Sequence, residues 1–79
     1  MKIYARFYLH LQKYAPAGKA AEEEIPLEIP GVITVAGFLR FLGISAGDTA
    51  VLVNGRSVEG DYVLAEGDRV AFLPLLEGG

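Results

Sequence analysis

Hydrophobic and polar positions alternate with period two over 2–11. Ile3, Ala5, Phe7, Leu9 and Leu11 fall on one side, and Lys2, Tyr4, Arg6, Tyr8 and His10 on the other. That is the pattern of a half-buried strand whose first set faces a core. The alternation returns at Ile25, Leu27 and Ile29, predicting a second strand within 22–30. Pro26 and Pro30 restrict that strand to a sheet edge, because proline has no amide to give to a ladder. The two strands are expected to pair antiparallel across a polar connection over 12–21 that contains Pro16 and Gly18. A different period begins at Thr34. Val35, Phe38, Leu39 and Leu42 stand at i, i+3, i+4 and i+7, predicting a helix opened by a Thr34 N-cap and stopped at Gly43. Gly37 inside it costs about 1 kcal/mol relative to alanine, so the helix depends on packing rather than on its own propensity.

Beyond the helix, 50–53 predicts a third strand ending at the turn dipeptide Asn54-Gly55. A short strand or irregular crossing fills 57–63, and 64–68 reads as a turn with Gly67 free to take positive φ. Residues 69–73 form the last strand, Val70 and Phe72 inward, Ala71 and Leu73 outward, and Pro74 ends its hydrogen bonding. One main helix and four to five strands imply an α+β fold in which the helix covers one face of a mixed sheet and the other stays bare. The alternation places Tyr4, Tyr8, Leu52, Ala71 and Leu73 on that bare face. Exposed aromatic and aliphatic residues grouped on a sheet are candidate contact residues, although tyrosine is also an ordinary strand former.

Composition narrows the chemistry. Seventy-nine residues make one small domain. With no cysteine there is no disulfide, no thiolate nucleophile and no Cys-ligated metal, and nothing points to an oxidising compartment. His10 stands alone, without the partners a metal site needs. Ser45, Ser57 and His10 lack an oxyanion framework, and Gly55 to Asp61 lacks the Lys-Ser/Thr of a phosphate loop. An autonomous enzyme is therefore not expected. A net charge of −3 gives no drive toward nucleic acid or an anionic membrane and suits a basic protein surface better. The start lacks a secretory signal, so the cytoplasm is the expected location. An apolar share of 52% implies either a well-filled core or hydrophobic surface reserved for a partner.

The sequence closes on Leu75-Leu76-Glu77-Gly78-Gly79. Gly78 and Gly79 offer no side-chain chemistry, and the expected asset of this stretch is the α-carboxylate of Gly79 on a slim backbone that passes where other residues cannot. Five residues beyond Pro74 reach about 16 to 18 Å when extended. The carboxylate could thus enter a partner's active site while the body docks outside. The alternative for Leu75 and Leu76 is a last strand folding back on its own core.

The chain resembles the β-grasp, ubiquitin-like sulfur carriers, which include the small subunit of molybdopterin synthase and the thiamine-pathway carrier. The resemblance is carried by Lys2-Ile3, Arg6-Phe7, Thr34-Val35, Phe38-Leu39, Val53-Asn54-Gly55, Leu64, Gly67-Asp68, Val70, Pro74 and Gly78-Gly79. It covers the whole chain as a single domain, 1–79, with 74–79 as a flexible reactive tail. The long 12–24 connection looks more like the molybdopterin branch, although Leu75 stands where that branch often has a second proline. The resemblance implies a non-catalytic carrier with no cofactor of its own. A ubiquitin-activating-type enzyme would use ATP to adenylate Gly79, and a sulfur donor protein would convert the adenylate to a thiocarboxylate. In the molybdopterin branch the tail then enters the large catalytic subunit, making this chain part of molybdenum cofactor biosynthesis. Carried onto this sequence, Gly79 bears the sulfur and Gly78 is its approach. Leu75 and Leu76 are gripped by the partner, and Tyr4, Tyr8, Leu52 and Leu73 form the docking surface. Thiamine or tRNA thiolation, protein conjugation, and a β-grasp interaction module with an idle tail remain as alternatives.

Overall fold

The computed structural model describes residues 1–14, 24–45, 47 and 49–75. Five strands make one sheet: β1 (Lys2–Phe7), β2 (Ile25–Glu28), β3 (Thr49–Val53), β4 (Arg56–Ser57) and β5 (Arg69–Pro74). Their spatial order is β2-β1-β5-β3-β4. β1 and β5 run parallel at the centre, and every other pairing is antiparallel. The helix α1 (Val35–Leu42) covers one face. This is the β-grasp arrangement that the resemblance implied.

The parallel central pair is the reason the core closes. Ile3, Ala5 and Phe7 of β1 and Val70 and Phe72 of β5 are all buried on the helix side. Phe7 and Phe72 stack with ring centroids 5.1 Å apart, and Phe38 from α1 meets Phe72 at 5.6 Å. Such aromatic contacts contribute beyond the area they bury. On the edge, β2 accommodates Pro26 opposite Tyr4, as an unpaired amide position allows. The Met1 α-ammonium ties the end of β2 down, donating to the Ile29 carbonyl at 2.9 Å beside the Glu28 carboxylate at 3.3 Å.

The helix has both ends satisfied, which explains how eight residues containing a glycine hold together. Thr34 Oγ1 accepts from the Gly37 amide at 3.1 Å. The first two helical amides, of Val35 and Ala36, donate to the carbonyls of Tyr62 and Gly60 at 2.8 and 2.9 Å. Three of the four donors that a helix leaves orphaned at its start thus have partners. At the other end Gly43 takes φ 80°, and the Ile44 amide returns to the Leu39 carbonyl at 2.9 Å while its side chain is buried. That is the left-handed stop that glycine permits.

Strand one is shorter than the alternation predicts. It ends at Phe7, and a 3-10 helix, Leu9–Tyr14, follows. Leu9 adopts φ 54° and is 59% exposed, so it leaves the core face it was assigned to. Leu11 is buried as expected, but through the turn of the 3-10 helix, whose Leu11 amide donates to the Tyr8 carbonyl at 3.0 Å. The second strand likewise contracts to four residues, with Ile29 buried just past its end. Elsewhere the turns stand where they were read: Asn54 and Gly55 both have positive φ (53° and 84°) between β3 and β4, and Gly67 has φ 85° before β5. Pro74 is the last residue of β5, opposite Thr49, and so belongs to the sheet rather than to a tail beginning at 74.

Candidate functional site: the open face of the sheet

Pairing register builds the uncovered face. Tyr4 stands opposite Arg69, Arg6 opposite Ala71, Leu52 opposite Ala71, and Ala50 opposite Leu73. Because side chains alternate across a strand, residues in these pairs point away from α1 together. Tyr4, Tyr8, Leu52, Ala71 and Leu73 are all half-buried there, shielded by one another rather than by a second layer. The grouping expected from the alternation is therefore present. Leu75 is not part of it. It is 51% exposed and lines a separate groove of about 300 Å3 beside α1, with Leu39, Thr49, Val51 and Val58. It neither packs into the core nor joins the open face. Leu76, Gly78 and Gly79 lie outside the described residues.

A cleft of about 460 Å3 occupies the middle of the open face, lined among others by Arg6, Tyr8, Glu24, Leu52, Arg69 and Ala71. Two guanidinium groups and one carboxylate therefore flank an aliphatic floor of Leu52 and Ala71. The floor was expected, but Arg6 and Arg69 were not picked out as site residues, although the same alternation puts Arg6 between Tyr4 and Tyr8 and Arg69 two before Ala71. Arg69 Nε lies 3.3 Å from Glu24 Oε2, reaching across β1 toward the start of β2. The Arg6 guanidinium is held even more firmly protonated than usual. The cause is first the neighbouring Tyr8 phenol, with a smaller push from the Glu24 carboxylate. Among the described residues, the charge lining the cleft is thus opposite in sign to that of the chain as a whole.

One corner of the cleft is fixed by a polar clamp. The Asn54 side-chain amide donates to Asp68 Oδ1 at 3.0 Å, the Ala65 amide donates to Asp68 Oδ2 at 2.8 Å, and the Arg69 amide donates to Asn54 Oδ1 at 3.0 Å. The β3–β4 turn and the turn before β5 are locked together, and Arg69 starts its strand from a defined position. No group of His, Asp and Glu among the described residues is arranged to hold a metal ion. No helix among them is long and apolar enough to cross a membrane.

Known structures share this architecture. The Haloferax volcanii HVO 2177 protein is 26% identical over all of this chain and 87% of its own, with a TM-score of 0.76. SAMP1 from the same organism is 20% identical, covers both chains in full and has a TM-score of 0.69. A Pyrococcus furiosus protein provisionally assigned as molybdopterin converting factor, subunit 1, is 21% identical over 95% of this chain and 98% of its own, with a TM-score of 0.71. None of the curated proteins matches the chain significantly. The sequence profile of the ThiS family matches residues 14–79, which takes in the helix, four of the five strands and the closing Gly78-Gly79. The chain is a member of the ThiS family, a β-grasp protein of the ubiquitin-like sulfur-carrier type.

Proposed function

We propose that the protein carries sulfur on the carboxylate of Gly79 and that its folded body serves to present that group. The observation that carries this reading is the family match running through Gly78 and Gly79, combined with a sheet whose last paired residue is Pro74. A carboxylate resists nucleophiles because its resonance and negative charge oppose attack. Transfer of AMP from ATP onto the Gly79 carboxylate, with release of pyrophosphate, gives an acyl-adenylate whose leaving group is AMP. The outer sulfur of a donor-protein persulfide then attacks the carbonyl carbon and AMP departs, giving an acyl disulfide; a thiol of the partner proteins cleaves its S–S bond, releasing the thiocarboxylate and leaving a disulfide on the partners. The nucleotide site, acid and base belong to a ubiquitin-activating-type partner. The carrier supplies a narrow Gly-Gly approach and an open face on which Tyr4, Tyr8, Leu52 and Leu73 dock.

The small subunit of molybdopterin synthase is the form of this function we favour, on the length of the 12–24 connection. The tail would then enter a large catalytic subunit and deliver sulfur to a pterin precursor. Thiamine and tRNA thiolation use the same two steps and differ in the acceptor, whereas protein conjugation shares only the adenylation. Mass spectrometry after incubation with ATP, a cognate activating enzyme and a sulfur donor tests those two steps. The expected product gains the mass difference between sulfur and oxygen at its C-terminus. An unchanged mass, with an enzyme shown to be competent on another carrier, would overturn the reading in favour of an idle interaction module. Co-purification with a large synthase subunit separates the pterin route from the others.

A further inference from the structure

The open-face cleft has a charge and shape that specify its occupant more narrowly than an exposed apolar sheet does. Arg6 and Arg69 occupy neighbouring strands, β1 and β5, with Ala71 two residues beyond Arg69 and paired to both Arg6 and Leu52. A guanidinium fork matches a carboxylate in two-point geometry, and Leu52 with Ala71 forms an aliphatic floor beside it. In an extended segment, residues two apart face the same side at the spacing that separates Arg69 from Ala71. The chain already places one carboxylate in this position. Glu24, 30% exposed, contacts Arg69, which is 70% exposed, from the far side of β1. Exposed ion pairs of this kind are weak and readily exchanged.

We propose that the cleft binds an extended segment of a partner protein carrying a carboxylate two residues from an aliphatic side chain, and that Glu24 is a self-ligand displaced on binding. Arg6 and Arg69 take the incoming carboxylate, and Leu52 with Ala71 takes the aliphatic group. Glu24 competes for Arg69 and keeps the free face from holding acidic segments indiscriminately. The identity of the partner as an activating or sulfur-accepting enzyme rests on the carrier reading; the chemistry of the cleft does not.

The two ends of the Glu24–Arg69 pair then have opposite effects, which a purely structural ion pair would not show. The test is an NMR titration of the isotopically labelled protein with a blocked pentapeptide holding glutamate and leucine two positions apart, set against the same peptide with lysine for glutamate. The amides of Arg6, Leu52, Arg69 and Ala71 should shift with the glutamate peptide and not with the lysine peptide. Glu24→Gln should tighten binding about threefold, and Arg69→Ala and Arg6→Ala should each weaken it about threefold, the scale of one exposed charge pair. Equal response to both peptides, no response at these amides, or weaker binding in Glu24→Gln overturns the proposal. If the peptide binds as expected while the unaltered protein never acquires a thiocarboxylate, the carrier reading falls and the cleft stands. If the thiocarboxylate forms while the peptide leaves these amides unmoved, the cleft proposal alone falls.

Discussion

Asn54 and Asp68 hold each other across the open end of the β3–β5 pair, amide nitrogen to carboxylate oxygen at 3.0 Å, with Asp68 almost fully buried. Removing the carboxylate leaves both the Ala65 amide and the Asn54 side chain without their acceptor. Asp68→Ala is therefore expected to cost about 2 kcal/mol, the scale of hydrogen bonds to a charged acceptor. Urea unfolding followed by circular dichroism measures it. A loss below a few tenths of a kcal/mol would mean that water replaces the clamp at no penalty.

Gly37 breaks the usual expectation for a glycine inside a helix. A Cβ built there lies 3.0 Å from Ile33 Cγ1 and 3.3 Å from Thr34 Oγ1, so it crowds the half-buried residue before the helix and the capping hydroxyl. Alanine would otherwise gain about 1 kcal/mol through propensity. The expected outcome for Gly37→Ala is no gain and a loss of up to about 1 kcal/mol, as overpacking and a weakened cap offset the propensity. A thermal midpoint raised by several degrees would show that Ile33 moves aside freely.

The two faces of β5 should respond in opposite ways to the same charge. Val70→Asp buries a carboxylate among Phe7, Phe38 and Phe72 on the helix side and is expected to prevent folding, since an unpaired buried charge exceeds what a small domain can bear. Leu73→Asp, on the open face, should change stability by about 1 kcal/mol or less while weakening association with the activating enzyme. Comparing amide dispersion in NMR spectra with a binding assay for both variants decides the matter. If Leu73→Asp binds unimpaired, the docking surface lies elsewhere.

At the far end of the chain, Gly78→Val and deletion of Gly79 should leave the unfolding curve unchanged and abolish thiocarboxylate formation. Valine at 78 adds a branched Cβ where a slim approach is required. Mass spectrometry reads the chemistry and circular dichroism the fold. A variant that lost its fold would show that these residues contribute to the body as well as to the reaction.

Most of the fold is legible in the sequence where a local rule and the global packing agree. The Thr34 cap, the Gly43 stop, the Asn54-Gly55 turn and the inward pair Val70 and Phe72 each follow from such a rule, and each is found in place. Leu9 was misplaced because period two persists through Leu11 while the backbone has already turned at Leu9 into a 3-10 helix. Alternation reports which side a residue takes only while the chain remains extended. The open face was legible in its apolar members and not in its arginines. A search for exposed hydrophobic groups passes over charged residues that are ordinary on a surface, and only strand register shows Arg6 and Arg69 on adjoining strands with Glu24 reaching between them. The partner grip expected at Leu75 follows from the resemblance and not from alternation; past the end of β5 this residue is exposed and lines the groove by the helix.

The side-by-side placement of β1 and β5 at the sheet centre has a consequence for biosynthesis. Almost the whole chain lies between these two strands, so a nascent polypeptide has no central ladder until β5 has been translated and has left the ribosome. The open face draws on β1, β3 and β5 alike and comes into being at that same moment. An enzyme that engages this face therefore meets only chains whose synthesis has passed β5.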